Sequence, residues 1–202
     1  LKVTLLDYGA GNVASVERAL QKLGAESARA ATKECLGNAA ALILPGVGHF
    51  AALIRALDDR GLRAPLLEAL GRGVPFLGIC LGLHALYESS EEAPELLGLQ
   101  LFPERIRTLP ANVKLPHMGW NQLRLTDTSR LLEGISPAAY FYFAHSYAVA
   151  VNGRVPAVAT CTHGSEFVAV LEQENINAVQ FHPEKSGAAG AQLLSNFLRL
   201  AR

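Results

Sequence analysis

The segment Val74-Pro75-Phe76-Leu77-Gly78-Ile79-Cys80-Leu81-Gly82 constrains this chain more than any other. Its apolar start reads as a buried strand, and the glycines two residues either side of Cys80 let neighbouring backbone approach where a Cβ would clash. The strand must reverse sharply into a helix at Cys80, which is the cysteine form of a nucleophile elbow. Such a turn lifts the side chain outward and aims a helix N-terminus at it, which favours a thiolate. An ordinary thiol, with a pKa of about 8.5, is only a few per cent ionised at neutral pH. Cysteine is also a common buried residue; the flanking glycines favour a reactive Cys80 over a structural one.

The elements around this turn alternate. Residues 2–6 form a first strand, Gly9-Ala10-Gly11 turns it, and Asn12 is placed to cap a helix with apolar Val13, Val16, Leu20 and Leu23. A second strand is expected over 25–30 and a third over 40–44, stopped by Pro45-Gly46-Val47-Gly48. Helical spacing resumes over 50–57 and 62–70, and the helix after Cys80 is expected to run through Tyr87. This order implies an α/β fold with a mostly parallel central sheet flanked by helices. Beyond Leu99 the texture changes to short alternating segments at 123–126, 140–147 and 157–162, an antiparallel strand extension. A strand over 176–181 and a helix over 191–200 close the chain, and the whole, 1–202, reads as one domain.

Composition excludes several function classes. With 18 basic and 18 acidic residues, the chain lacks the electrostatic footprint of a nucleic-acid binder or a membrane-surface protein. No apolar run approaches the length of a membrane span, and the opening from Leu1 has no signal-peptide pattern. Cys35, Cys80 and Cys161 are widely spaced with no C-x-x-C pair, so a reducing, cytoplasmic setting is expected rather than a disulfide framework. No histidines stand at metal-ligand spacing, and neither a metal nor a cofactor is expected.

A thiol nucleophile needs a base, and the base needs an orienting group. His182 in Gln180-Phe181-His182-Pro183-Glu184-Lys185 falls where the last apolar strand ends, the place where a parallel sheet collects its functional groups. Glu184 is two residues on, so in an extended segment both side chains share a face, and Pro183 favours that conformation. A His-Pro turn beside a solvated glutamate fits the same residues equally well. His145 in Phe143-Ala144-His145-Ser146-Tyr147 is the rival base. For a developing oxyanion, the Val47-Gly48 peptide and the Leu81 N–H offer two donors, each typically worth about 10²–10³ in rate.

Taken in order along the chain, strand-PGVG, strand-GICLG and strand-FHPE resemble the class I (triad) glutamine amidotransferases. The segments Tyr8-Gly9-Ala10-Gly11-Asn12, Pro45-Gly46-Val47-Gly48-His49-Phe50, Pro116-His117-Met118-Gly119-Trp120-Asn121 and His182-Pro183-Glu184-Lys185-Ser186 extend the likeness to the glutaminase subunits of imidazole glycerol phosphate synthases. The resemblance implies a flavodoxin-like core. It implies that Cys80 attacks the carboxamide of glutamine, that His182, oriented by Glu184, moves the protons, and that Val47, Gly48 and Leu81 hold the oxyanion. Glu92, His84, Ser146 and Tyr147 match substrate-binding positions, although the family usually has glutamine where this chain has His84. Glu88, Glu91 and Glu95 make a solvated acidic loop an equally good reading of Glu92.

The same resemblance implies a partner, a (β/α)8-barrel cyclase subunit that receives ammonia, with Asn12, His117, Met118, Trp120, Asn121, Tyr140 and Lys185 at the interface. It also implies an isolated subunit that is nearly silent until the cyclase is liganded. Free ammonia is mostly protonated at neutral pH, so direct delivery is chemically sensible. An exposed Trp120 beside Met118 would suit an anchor, and a buried Trp fits the sequence as well. Other readings stay open: the glutaminase of another ammonia-channelling synthase, a reactive-cysteine redox sensor, or a dinucleotide-binding protein using Gly9-Ala10-Gly11. The last lacks the acidic residue expected to close the second strand, where 28–31 read Ala-Arg-Ala-Ala.

Overall fold

The computed structural model describes residues 2–9 and 12–201. Eight strands form the central sheet: β1 (Lys2–Leu6), β2 (Glu26–Ala30), β3 (Leu42–Gly46), β4 (Phe76–Cys80), β8 (Arg124–Leu125), β11 (Ala157–His163), β12 (Ser165–Gln173) and β13 (Ile176–Val179). Their spatial order is β2-β1-β3-β4-β13-β12-β11-β8. The first five run parallel, and β12, β11 and β8 continue antiparallel.

Alternation along the parallel strands sorts their side chains to two cores. Leu42, Leu44, Leu6 and Phe76 point to one face, where they meet Phe50, Leu53, Ile54 and Leu57 of α3 (Phe50–Asp59) and Leu66 of α4 (Arg63–Gly71). Val3, Leu5, Ile43, Leu77 and Ile79 point to the other, against α1 (Val13–Lys22) and α6 (Gly187–Leu200). Every residue of β3 and β4 is buried, as expected of strands covered on both faces. A short α2 (Lys33–Gly37) lies between β2 and β3.

Two small sheets sit beside this body. β6 (Phe102–Thr108) pairs with β5 (Tyr87–Ser90) and β10 (Tyr147–Ala148). β7 (His117–Gln122) and β9 (Tyr140–His145) form a separate antiparallel ribbon. The expectation of a helix through Tyr87 is corrected here. The elbow helix α5 spans only Leu81–His84, and Tyr87 opens β5. The carbonyls that would carry the helix onward are taken by a later segment: Leu99 N–H donates to Ala85 O at 2.7 Å and Leu101 N–H to Leu86 O at 2.9 Å. No helix among the described residues is long and apolar enough to cross a membrane.

Candidate functional site

The carboxyl ends of β3, β4 and β13 are neighbours in the sheet, so the segments leaving them meet at one crevice. The turn at β4 is as tight as its glycines suggest. A Cβ on Gly82 would stand 2.0 Å from Leu44 O, and one on Gly78 would stand 2.7 Å from Gly82 O. Cys80 takes φ 53° and ψ −103°, a strained conformation for a residue with a Cβ. With only four residues in α5, there is no long helix whose dipole could act on the sulfur.

A cavity of about 280 Å³ opens over this turn, lined by Val47, Gly48, Cys80, Leu81, His84, Glu92, His145, Ser146, Tyr147, His182 and Lys185 among others. All the residues expected from sequence to bind substrate or hold an oxyanion therefore border one space. Gly48 adopts φ 97° in the turn after β3.

His182 and Glu184 do meet, by a route different from the expected one. Their shared face was expected from extended backbone, yet Pro183–Lys185 is a turn of 3-10 helix. His182 alone is extended, and the helical turn folds Glu184 back so that His182 Nδ1 lies 2.9 Å from Glu184 Oε1. Both side chains are essentially fully buried. Burial works to lower the pKa of His182, but hydrogen bonding and charge from Cys80 and Glu184 outweigh it and raise the value to about 10. Asn12 donates from Nδ2 to the same Glu184 oxygen at 3.2 Å instead of capping α1, where its side chain makes no cap bond. His182 N–H also donates to Tyr142 O at 2.9 Å, and Ser186 Oγ accepts from Tyr142 N–H while donating to His182 O. The loop is thus fastened to β9.

His145, the rival base, has both ring nitrogens committed. Its Nδ1 faces Tyr147 O at 2.9 Å and must donate, so Nε2 accepts from His117 Nδ1 at 3.1 Å. His117 Nε2 then accepts from Asn121 Nδ2 at 3.3 Å. Burial above all pushes His145 down to about 3, helped by the charges of His84, His117 and His182 against the opposing bond to Tyr147. Burial and His163 push His117 down to about 4. A neutral ring with no free nitrogen is a poor base.

Of the acidic residues after the elbow, Glu92 alone lines the cavity. Its Oε2 accepts from Phe50 N–H at 2.8 Å, at the start of α3. Glu91 accepts instead from Thr108 N–H, and Glu95 pairs with Arg55. His84 borders the cavity but is 3% exposed, and its Nε2 is tied to Gln180 Oε1 at 2.8 Å. Gln180 went unmarked in the sequence, although it stands two residues before His182, an offset that puts two side chains on one side of an extended segment.

Among the residues expected at an interface, Met118, Trp120 and Tyr140 are 65%, 55% and 53% exposed. Trp120 packs edge-on to Tyr142 at 5.9 Å, and Lys185 Nζ lies 5.6 Å over the same ring. His117 departs from the expectation. β7 alternates, so His117 points inward, 5% exposed and stacked between His163 and Phe143. Ala10 and Gly11 of the Gly-rich loop lie outside the described residues. Among the described residues, no group of three or more His, Cys, Asp or Glu converges as a metal site.

Comparison with known proteins assigns the chain to a family. Residues 4–201 match the family model described as glutamine amidotransferase class-I. An imidazole glycerol phosphate synthase subunit HisH of Methanothermobacter thermautotrophicus is 46% identical over 200 residues, 99% of each chain. Imidazole glycerol phosphate synthase hisHF of Emericella nidulans is 42% identical over 209 residues, 97% of this chain and 37% of that protein. A crystal structure of a glutamine amidotransferase shares the fold, with a TM-score of 0.78 at 22% identity over 98% of both chains. The chain belongs to the class-I glutamine amidotransferases, in the group formed by the HisH subunits of imidazole glycerol phosphate synthase.

Proposed function

We propose that this chain hydrolyses glutamine through Cys80 and passes the ammonia to a (β/α)8-barrel cyclase subunit of imidazole glycerol phosphate synthase. The observation that carries the reading is a strained, cavity-facing Cys80 beside a buried His182–Glu184 pair. His182 is held protonated well above neutrality, and Cys80 reacts as the thiolate once its proton has passed to the imidazole. The thiolate attacks the carboxamide carbon of glutamine, and the oxyanion is received by N–H groups of the Val47-Gly48 segment and of Leu81. His182 gives its proton to the nitrogen as the C–N bond breaks, releasing ammonia and leaving a glutamyl thioester. His182, now neutral, takes a proton from water, the hydroxide adds to the thioester, and glutamate leaves as the thiolate and imidazolium are restored. Glu184 keeps the imidazole in orientation throughout.

Glu92 supplies a carboxylate for the α-ammonium of glutamine, and Ser146 and Tyr147 complete the pocket, with His84 behind it. Met118, Trp120 and Tyr140 form the exposed part of the cyclase interface, joined by Asn12, Asn121 and Lys185, with His117 supporting from within. That the hisHF relative contains a matching segment in a much longer protein supports a fixed partner. The whole of 1–202 acts as one amidotransferase domain, in the cytoplasm. The test is a glutaminase assay with and without the cyclase and its nucleotide ligand. Ammonia release that rises strongly on adding both, and vanishes in Cys80→Ser, is expected; undiminished release in Cys80→Ser contradicts the mechanism. A cyclase that neither binds nor activates contradicts the partner.

A further inference from the structure

The segment leaving β13 carries a side chain that the triad does not use. Gln180 has no solvent exposure and lies between two groups of the site. Its Nε2 donates towards Cys80 Sγ at 3.7 Å, and its Oε1 lies 2.8 Å from His84 Nε2. An amide oxygen only accepts, so the hydrogen in the second contact belongs to His84. His84 Nδ1 has no partner, and the ring is driven down to about 4, by burial above all, so near neutral pH it carries a single hydrogen. With that hydrogen on Nε2, the buried, unpartnered Nδ1 is a bare lone pair. With it on Nδ1, a buried N–H would be stranded, and the bare Nε2 would draw the NH₂ of Gln180, turning its oxygen to the sulfur. The tautomer of His84 decides whether Cys80 meets a donor or an acceptor.

We propose that Gln180 is a positioning residue that steadies the Cys80 thiolate through its side-chain N–H, and that His84, as the Nε2–H tautomer, locks Gln180 in that orientation. This rests on reading Cys80 as the nucleophile. The sulfur then has the Gln180 N–H as a donor in addition to the imidazolium of His182, and both residues follow β13 in the chain. The other titratable or charged groups near this pair are Tyr8 and His182 facing the sulfur, Glu184 behind His182, His145 beside His84, and Glu92 and Lys185 on the cavity wall. None of them touches the Gln180 amide through a hydrogen bond among the described residues.

The test measures alkylation of Cys80 by iodoacetamide against pH on the full chain, with the modified residue located by mass spectrometry. In His84→Leu and Gln180→Met, the midpoint of the rate profile is expected to rise by about one pH unit, lowering the rate about tenfold at pH values below both midpoints. Glutamine at position 84 keeps an N–H for Gln180 Oε1, so His84→Gln is expected to recover most of that loss. A merely structural role would lower thermal stability without moving the midpoint, and folded variants with unmoved midpoints overturn the proposal. Ring ¹⁵N NMR of the unaltered protein reads the tautomer independently of any variant. A protonated Nε2 with a bare Nδ1 is expected, and the reverse overturns the proposal. Cys80→Ala, assayed in the complex with the cyclase, separates this idea from the reading beneath it. Glutamine hydrolysis surviving that change defeats the nucleophile; hydrolysis lost there with unmoved alkylation midpoints defeats the Gln180–His84 proposal alone.

Discussion

The elbow of β4 and the β7–β9 ribbon are both built on alternating or reversing strands, yet they treat their side chains in opposite ways. At the elbow everything is enclosed: β4 is buried at every residue, and a Cβ on Gly82 has no room. On the ribbon, one row is enclosed, with Phe141, Phe143, His117 and His145 turned in, and the other presents Met118, Trp120 and Tyr140 to solvent. The first arrangement holds Cys80 still against strain; the second leaves large apolar side chains uncovered, as the proposed docking face requires. β9 belongs to both, because Tyr142 is hydrogen-bonded to the His182–Ser186 loop. Under the proposed function, the contrast teaches that chemistry and recognition are joined through β9 rather than lying at two distant sites.

Each side of that contrast can be broken separately. Cys80→Ala should cost at least about 10⁴ in glutamine turnover while leaving ribbon binding to the cyclase intact, as read by titration calorimetry. Gly82→Ala should destabilise the fold by about 4 kcal/mol or more, because the added methyl meets a backbone carbonyl that cannot move away; denaturant unfolding checks it.

Acid should come next. His84 and His145 are held neutral by burial, with values near 4 and 3, whereas the unfolded chain takes up protons near 6.5. Their contribution to stability is complete above about pH 6.5 and is lost as pH falls towards those values, about 3 kcal/mol for His84 alone at the acid limit. His182 has the opposite sign. Raised to about 10, its contribution is present below pH 6.5 and is lost as pH rises through 10. Thermal unfolding followed across pH should therefore fall off below 6.5, and His84→Gln should flatten that acid limb. The smallest effect is expected on the ribbon. Trp120→Ala should weaken cyclase binding by about 2 kcal/mol, roughly thirtyfold in Kd, and move the melting temperature by no more than about 2 °C.

Much of this was legible before any coordinates. Val3, Leu5, Leu42 and Leu77 announce strands buried on both faces, and the Gly78-Cys80-Gly82 spacing announces the turn because sterics there act over only a few residues. The length of α5 was not legible. Leu83 through Tyr87 keep helical spacing, and what ends the helix is competition from Leu99 and Leu101 for its carbonyls, a contact made far along the chain. The pairing of His182 with Glu184 was readable as a pair but not as a 3-10 turn, since Pro183 suits both an extended segment and the first residue of a helix. Gln180 was missed because an amide carries no charge signature, and its partners, Cys80 and His84, are about a hundred residues away.

The central claim is that the enclosed Cys80, armed by His182, is the group that attacks glutamine. A diazoketone analogue of glutamine, incubated with the complex and followed by peptide mass spectrometry, tests it most directly. The account predicts one covalent label, on Cys80, slowed by added glutamine and greatly reduced in His182→Ala. A label on Cys35 or Cys161, or labelling of Cys80 that glutamine does not slow, would contradict it.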